Sequence, residues 1–418
     1  MERISIGWLR VSVPRSITAL AIGIFLAALA AGCGSGGKSL ETGGSSGEQR
    51  CATGLSQAGS GVCLDKKDPR GKRVATLIAR LRRKHNLYAS IFEVWSGRKP
   101  IASGAFGSAL PGVRASVADH FRISDVTETF TSTVLLMLVD QGKLSLDDPV
   151  SKWLPWLPHA KQVTLGMLAS STSGYADYVT NPTFVKALRQ NPFRLWPVRE
   201  IIRLGVSRPS LFSPGKSWAF SDTNFMILGD ILTRVGGEPL GEQIRKQILD
   251  RLGLDNTAMQ YTADVPSPVL HGYDPERGDY QDATNWSPSW AQYTASMTSN
   301  LADMGRWAQA LGTGKLLSAA SHRKQVGPGN VGLGPLTKQF YYGLGVGVAS
   351  KWIFSNPHLP GYSGFLGYYP PEKLTVAIWA TPAMGNLDQI NDSQAIFAQV
   401  AQILTPNSAP KLAQRVGG

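Results

Sequence analysis

Residues 121–155 read FRISDVTETFTSTVLLMLVDQGKLSLDDPVSKWLP, a turn that feeds a long apolar helix and then an acidic loop. Val134, Leu135, Leu138 and Val139 carry the helical period. Asp125 and Glu128 lie three apart just before that run, which places both in the first helical turn. There a helix leaves N–H groups free and presents the positive end of its dipole. One reading of the pair is structural: Asp-x-x-Glu is a capping box, with Asp at the N-cap and Glu reaching back, worth about 1 kcal/mol. The other reading depends on what the remaining segments bring to the same place.

The frame FRI-x-x-V-T-x-T-F, followed by DQGKLSLDDPVSKWLP, resembles the serine β-lactamase and penicillin-binding protein superfamily. The branch it is similar to holds class C β-lactamases, D,D-carboxypeptidases and esterases. That resemblance implies a nucleophilic Ser and, three residues on, a Lys that activates it. Asp125 and Glu128 occupy these two positions. The flanking match is ungapped, and Ser124 does not restore the motif because Thr127 stands three residues after it. A second family segment appears as LFSPGKSWAFSDTNFMILGDILTRVGG, where Phe220 stands for the motif Tyr and Asp222 for the Asn. A phenyl ring carries no exchangeable proton, so acid/base work at that position is lost. The third segment precedes LPGYSGFLGYYP; counting back puts Ser355 and Pro357 at the His and Gly places, with His358 beside them. A fourth, His-Thr-Ser-Gly in the family, reads Ser171-Thr172-Ser173-Gly174. Isolated Ser-x-x-Lys matches at Ser35/Lys38, Ser96/Lys99, Ser213/Lys216 and Ser321/Lys324 fall in a linker, a hairpin turn, a Pro-Gly turn and a loop. A nucleophile also needs a base and oxyanion donors within reach, so these matches carry no weight.

The fold implied is α/β plus α, an antiparallel sheet flanked by helices with an inserted, mainly helical lobe. The residues agree with it. Leu87 to Trp95 and Ile101 to Phe106 read as strands around the turn 96–99, after an amphipathic, basic-faced helix over 70–85. From Asp125 to about Ala295 the pattern is mainly helical, and Leu301 to Leu311 is a further helix. Strands follow at Tyr342 to Ala349, Gly361 to Tyr369 and Leu374 to Ala380, the last two joined around Pro370-Pro371-Glu372. A closing helix sets Ile396, Phe397, Val400, Ile403 and Leu404 on one face. The expected division is 1–33 signal and lipobox, 34–64 linker, 65–405 the β-lactamase-like domain and 406–418 a tail. Within the domain, 65–124 with 296–405 forms the α/β lobe and 125–295 the helical lobe. Trp286, Trp290 and Tyr293 line the cleft or pack under a long loop.

The chain has 418 residues, 43% of them hydrophobic, enough for a large core. Arg3, Arg10 and Arg15, an apolar run from Ile17 to Ala31 and Ala30-Ala31-Gly32-Cys33 read as an export signal with lipidation at Cys33. Ordinary cleavage after Ala28-Leu29-Ala30 is the competing reading. Cys51 and Cys63 then form an even pair fit for a disulfide in an oxidising compartment. A formal charge of +13 suits an exported protein beside an anionic envelope and calls for no nucleic acid.

Asp125, Glu128 and Asp222 are thus expected to converge where the family has Ser, Lys and Asn. Clustered carboxylates in a cleft either hold a proton or take a cation. That cation is a neighbouring Arg or Lys, an oxygen-loving metal such as Ca²⁺ or Mg²⁺, or the amino group of a ligand such as a cell-wall peptide. No His/Cys cluster points to zinc, and no cofactor is expected. The leading expectation is a lipid-anchored, extracytoplasmic, non-hydrolytic protein that binds a small molecule or partner in its cleft. The alternatives are a hydrolase that uses Asp125 and Glu128, and an envelope lipoprotein with a closed cleft.

Overall fold

The computed structural model describes residues 51–275, 277–278, 280–386 and 391–412. The signal, Cys33 and the Gly/Ser-rich stretch up to residue 50 lie outside them. Eleven strands among the described residues form one sheet. They are β1 (Ser56–Gln57), β2 (Val62–Leu64), β3 (Leu87–Ser96), β4 (Lys99–Leu110), β5 (Val113–Arg114) and β6 (Phe340–Tyr342). From the C-terminal part come β7 (Gly347–Ala349), β8 (Trp352–Ser355), β9 (His358–Leu359), β10 (Tyr362–Tyr369) and β11 (Leu374–Pro382). The order is β1-β2-β4-β3-β11-β10-β8-β7-β6, with β5 on β4 and β9 on β10. The central ladder runs antiparallel from Leu374 opposite Ser96 to Pro382 opposite Leu87, so the two ends of the chain close the sheet together.

Each face of the sheet buries a helical layer. On one face α1 (Pro69–Lys84) contributes Val74, Ile78 and Leu81 to a cluster with Ile396, Phe397, Val400 and Leu404 of the closing helix, Asp392–Leu404. Asp68 caps α1 by accepting from Arg70 N–H at 3.0 Å. The other core cluster contains α2 (Val126–Asp140) and the helix Leu301–Thr313. Buried from Val126 to Leu138, α2 has no solvent face, which explains its all-round apolar and Thr/Ser composition. Its hydroxyls stay satisfied by bonding back to the preceding turn, as Thr133 does to Thr129 O at 2.7 Å. Phe130 stacks on Trp307 at 3.9 Å, and Trp307 Nε1 donates to Thr129 Oγ1 at 2.8 Å.

Several segments differ from the sequence reading. Tyr342 to Ala349 is not one strand: it turns at Gly343–Val346, where Gly343 N–H donates to Val346 O at 2.7 Å and Gly345 takes φ +73. A strand over Trp352–Ser355 was not expected. Within residues 56–64, read as linker, β2 pairs onto β4 and β1 onto β2 as the sheet edge, held by the expected Cys51–Cys63 disulfide. Ser321 sits on a helix, Ala319–Gln325, and donates to Asp140 at 2.7 Å. Trp286, Trp290 and Tyr293 are all buried; Trp290 packs against Phe184.

Candidate functional site

The chain enters α2 from a short pairing of Phe121–Arg122 with Thr298 and Ser299. It then turns through Ser124 at φ +47, a left-handed conformation that costs a non-glycine residue energy and persists where the surroundings impose it. The turn delivers Asp125 to the head of the helix. There the capping box does not form: Asp125 is at the N-cap position with helical dihedrals and makes no side-chain cap bond. Its carboxyl instead accepts from Ser124 Oγ at 3.1 Å and from His358 N–H at 3.4 Å. Ser124 Oγ lies also 3.0 Å from His358 O, so this one hydroxyl ties the helix start to β9.

One turn on, Glu128 does not reach back to the cap. It is 1% exposed, its Oε2 accepts from Tyr342 OH at 3.2 Å, and its Oε1 is buried with no hydrogen-bond partner. Asp222 opens the helix Asp222–Gly236 and is buried. Asp177, at the head of the turn Tyr178–Thr180, accepts from Val179 N–H at 3.1 Å and also from the Asp222 N–H, a capping role that fixes it in place. Four carboxyl groups from three separate helix starts therefore lie close enough to shift one another's protonation.

Their protonation follows from that crowding. Burial pushes Asp125 well above the usual carboxylate range; the charge of Asp222 adds to this, and the Ser124 and His358 bonds offset it in part. Glu128 is pushed up by burial and then by Asp222, Asp125 and Asp177, against the Tyr342 bond. Asp177 rises through burial, Asp222 and Asp125. Burial raises Asp222 to about 6, with Thr294 pulling it back. The leading charges acting on Asp125, Glu128 and Asp177 are those of their fellow carboxyls. Arg122, the nearest Arg in the chain, points instead to the carbonyls of Thr284, Ala263 and Trp286. Among the described residues, no group of three His, Cys, Asp or Glu stands in an arrangement that holds a metal ion.

The wall beside the carboxyls is aromatic. Tyr342 lies 5.8 Å from Trp218 and 6.3 Å from Phe220, centroid to centroid. Phe220 is 36% exposed, whereas Glu128 and Asp222 are buried. The Tyr342 phenol is held protonated by burial and by Glu128, and so serves as a donor. Ser355 ends β8 opposite Leu366 and takes no part in the hydrogen bonds of the cluster among the described residues. The residue of that segment that reaches the site is His358, through its main-chain N–H; burial lowers its ring pKa, and the charge that acts on the ring is Asp392.

Sequence reasoning brought together Asp125, Glu128 and Asp222 and missed Asp177 and Tyr342. The signal for Asp177 stood in the STSGYADY loop beside the family segment. Tyr342 had none, because the turn at Gly343–Val346 is what swings it over α2.

The comparisons with known proteins agree on the architecture. The Bacillus subtilis protein PbpX is 27% identical over 277 residues, 65% of each chain. The Escherichia coli D-alanyl-D-alanine-carboxypeptidase/endopeptidase AmpH is 32% identical over 174 residues, 39% of this chain and 42% of its own. The chain thus spans less than two thirds of the length of either relative. In structure, a D-stereospecific amidohydrolase from Streptomyces sp. superposes with a TM-score of 0.72 at 23% identity, over 81% of this chain and 100% of that one. The Beta-lactamase family pattern matches residues 74–401, and the chain belongs to that family.

Proposed function

We propose that this chain is a non-hydrolytic member of the family, exported and lipid-anchored through Cys33, which binds a small molecule or a cell-wall peptide in its cleft. The observation that carries the reading is the state of Asp125. A carboxyl pushed up by burial and already engaged by Ser124 and His358 stands where the family resemblance calls for a nucleophilic Ser. Glu128, a carboxyl raised by burial, supplies neither the charge nor the amine of the Lys that the resemblance calls for. Phe220 adds no exchangeable proton. The scaffold around these positions is intact, from the Ser124 turn to the His358 strand, which supports a retained cleft.

Incubation of the full chain with a fluorophosphonate and, separately, with a penicillin is expected to leave its mass unchanged. A stoichiometric adduct on a Ser would overturn the proposal. The second reading is hydrolysis by other chemistry, with the Asp125 and Glu128 pair as acid and base; relatives such as AmpH, named as a carboxypeptidase/endopeptidase, favour it. It requires pH-dependent turnover of esters or peptides that vanishes in both Asp125→Ala and Glu128→Gln.

A further inference from the structure

The helical layer over one face of the sheet presents charge of a single sign. Along α1, Lys72, Arg73, Arg80, Arg83 and Lys84 are exposed. At about 100° per residue they fall within an arc of about 120°, a stripe about 18 Å long. Their side chains make no ion pair or hydrogen bond among the described residues. The acids of the neighbourhood are already taken, Asp68 by Arg70, Asp65 by Lys99 and Asp392 by His85. The closing helix packed beside α1 reads DSQAIFAQVAQIL, and its one ionisable side chain is that same buried Asp392.

Helix stability does not account for the stripe. Cations at a helix C-terminus suit its dipole, which explains Arg83 and Lys84. At the other end the dipole favours acids, yet the first turn of α1 holds none, and Lys72 and Arg73 stand where it closes. A protein partner does not account for it either. Protein interfaces are built around buried aromatic and apolar anchors. None of the large hydrophobic side chains exposed among the described residues belongs to α1 or the closing helix. Cations in a row with no apolar anchor match phosphate headgroups, which ask for charge and for no particular shape. We propose that this stripe docks the domain on an anionic phospholipid bilayer, by charge and without insertion. The inference rests on the export and anchoring proposed above: lipid at Cys33 would hold the domain at that surface, so a modest contact affinity suffices. Because α1 and α2 belong to layers on opposite faces of the sheet, docking by α1 turns α2 away from the bilayer.

The test uses residues 34–418, which keep the compact unit Gln49–Val416 with both core clusters and lack the apolar leader and any lipid. Sedimentation compares binding to vesicles of phosphatidylcholine alone and of phosphatidylcholine with about 30% phosphatidylglycerol. The chain should bind the anionic vesicles only, and should leave them at about 0.5 M salt, where the screening length falls to roughly 4 Å. Each cation at an anionic surface is worth about fivefold in affinity, so Lys72→Gln with Arg80→Gln and Arg83→Gln should weaken binding about a hundredfold. Lys161→Gln with Lys186→Gln and Arg251→Gln removes the same charge from exposed positions of the helical lobe, and should change binding by less than about threefold. Equal losses in the two variants, wild-type binding by the first, or equal binding to phosphatidylcholine alone would overturn the proposal. Tighter binding, per phosphate, to soluble polyphosphate than to the vesicles would also overturn it, by making a free polyanion the partner. The mass of the full chain expressed in a lipidating host reads the separate claim: an unmodified Cys33 would overturn the anchoring and leave the vesicle result standing.

Discussion

At the scale of the residue, Asp222 has a protonation state with a measurable consequence. Its pKa rises from 3.8 to about 6, so between those values the folded chain holds a proton that the unfolded chain has lost. Stability is therefore highest below the unfolded value and falls as pH rises through about 6. Asp222→Asn removes this dependence, and above pH 7 it should be more stable than wild type by roughly 3 kcal/mol, with no charge-derived difference near pH 4. Denaturant midpoints of both proteins across that range check it; equal slopes would refute the assigned shift. Glu93, raised to about 7 by burial, and Asp119, raised to about 6, slope the same way, so the difference between the two proteins is the quantity to read. Asp125, Glu128 and Asp222 were legible in sequence because each sits inside a local frame with its own apolar period and turn. The capping box was legible too and does not form. What decides Asp125 is a bond from His358, more than two hundred residues away, and no local pattern encodes that.

At the scale of the element, the tight contact is between α2 and the turn after β6. Gly345, at φ +73, would bring a Cβ within 2.5 Å of Ser132 Oγ and 3.0 Å of Glu128 O. Gly345→Ala has to push the turn off the helix and strain the backbone, at a cost of about 1–3 kcal/mol. The same turn carries Tyr342, so the variant should also lose whatever ligand affinity the phenol provides. A thermal melt together with a binding titration checks both, and a wild-type melting temperature would refute the contact. Element legibility follows the same physics. α1, α2, β3, β10 and β11 announced themselves by period and by turn residues. β8 did not, because its hairpin with β7 turns through Ser350 and Lys351, both at positive φ and neither one a Gly or Asn that would mark such a turn. The break at Gly343–Val346 was written in its glycines but was overridden by the β-branched and aromatic run around it.

At the scale of the whole molecule, the sheet is built from both ends of the chain, and its outer strands are short. The Cys51–Cys63 bridge closes a loop of about a dozen residues around the β1–β2 hairpin, which by loop entropy stabilises the fold by up to about 3 kcal/mol. Cys51→Ala with Cys63→Ala should lower the unfolding free energy by an amount of that order, and reduction of the wild type should reproduce it; identical denaturation curves would refute the role. The general antiparallel α/β design was readable because long strands and an uninterrupted central ladder dominate it. The edge was not, since three-residue strands carry too little pattern to be told from linker.

That hairpin has a further consequence for how the protein is made. β2 is what covers the flank of β4 at Ala102, Ser103 and Gly104. A copy synthesised in a reducing cytosol would fold with this cover untethered, and a bared strand flank is a template on which another chain can add. Soluble yield should therefore follow the redox state of the compartment where the chain folds, because a bridge closed during folding guards that flank against self-assembly.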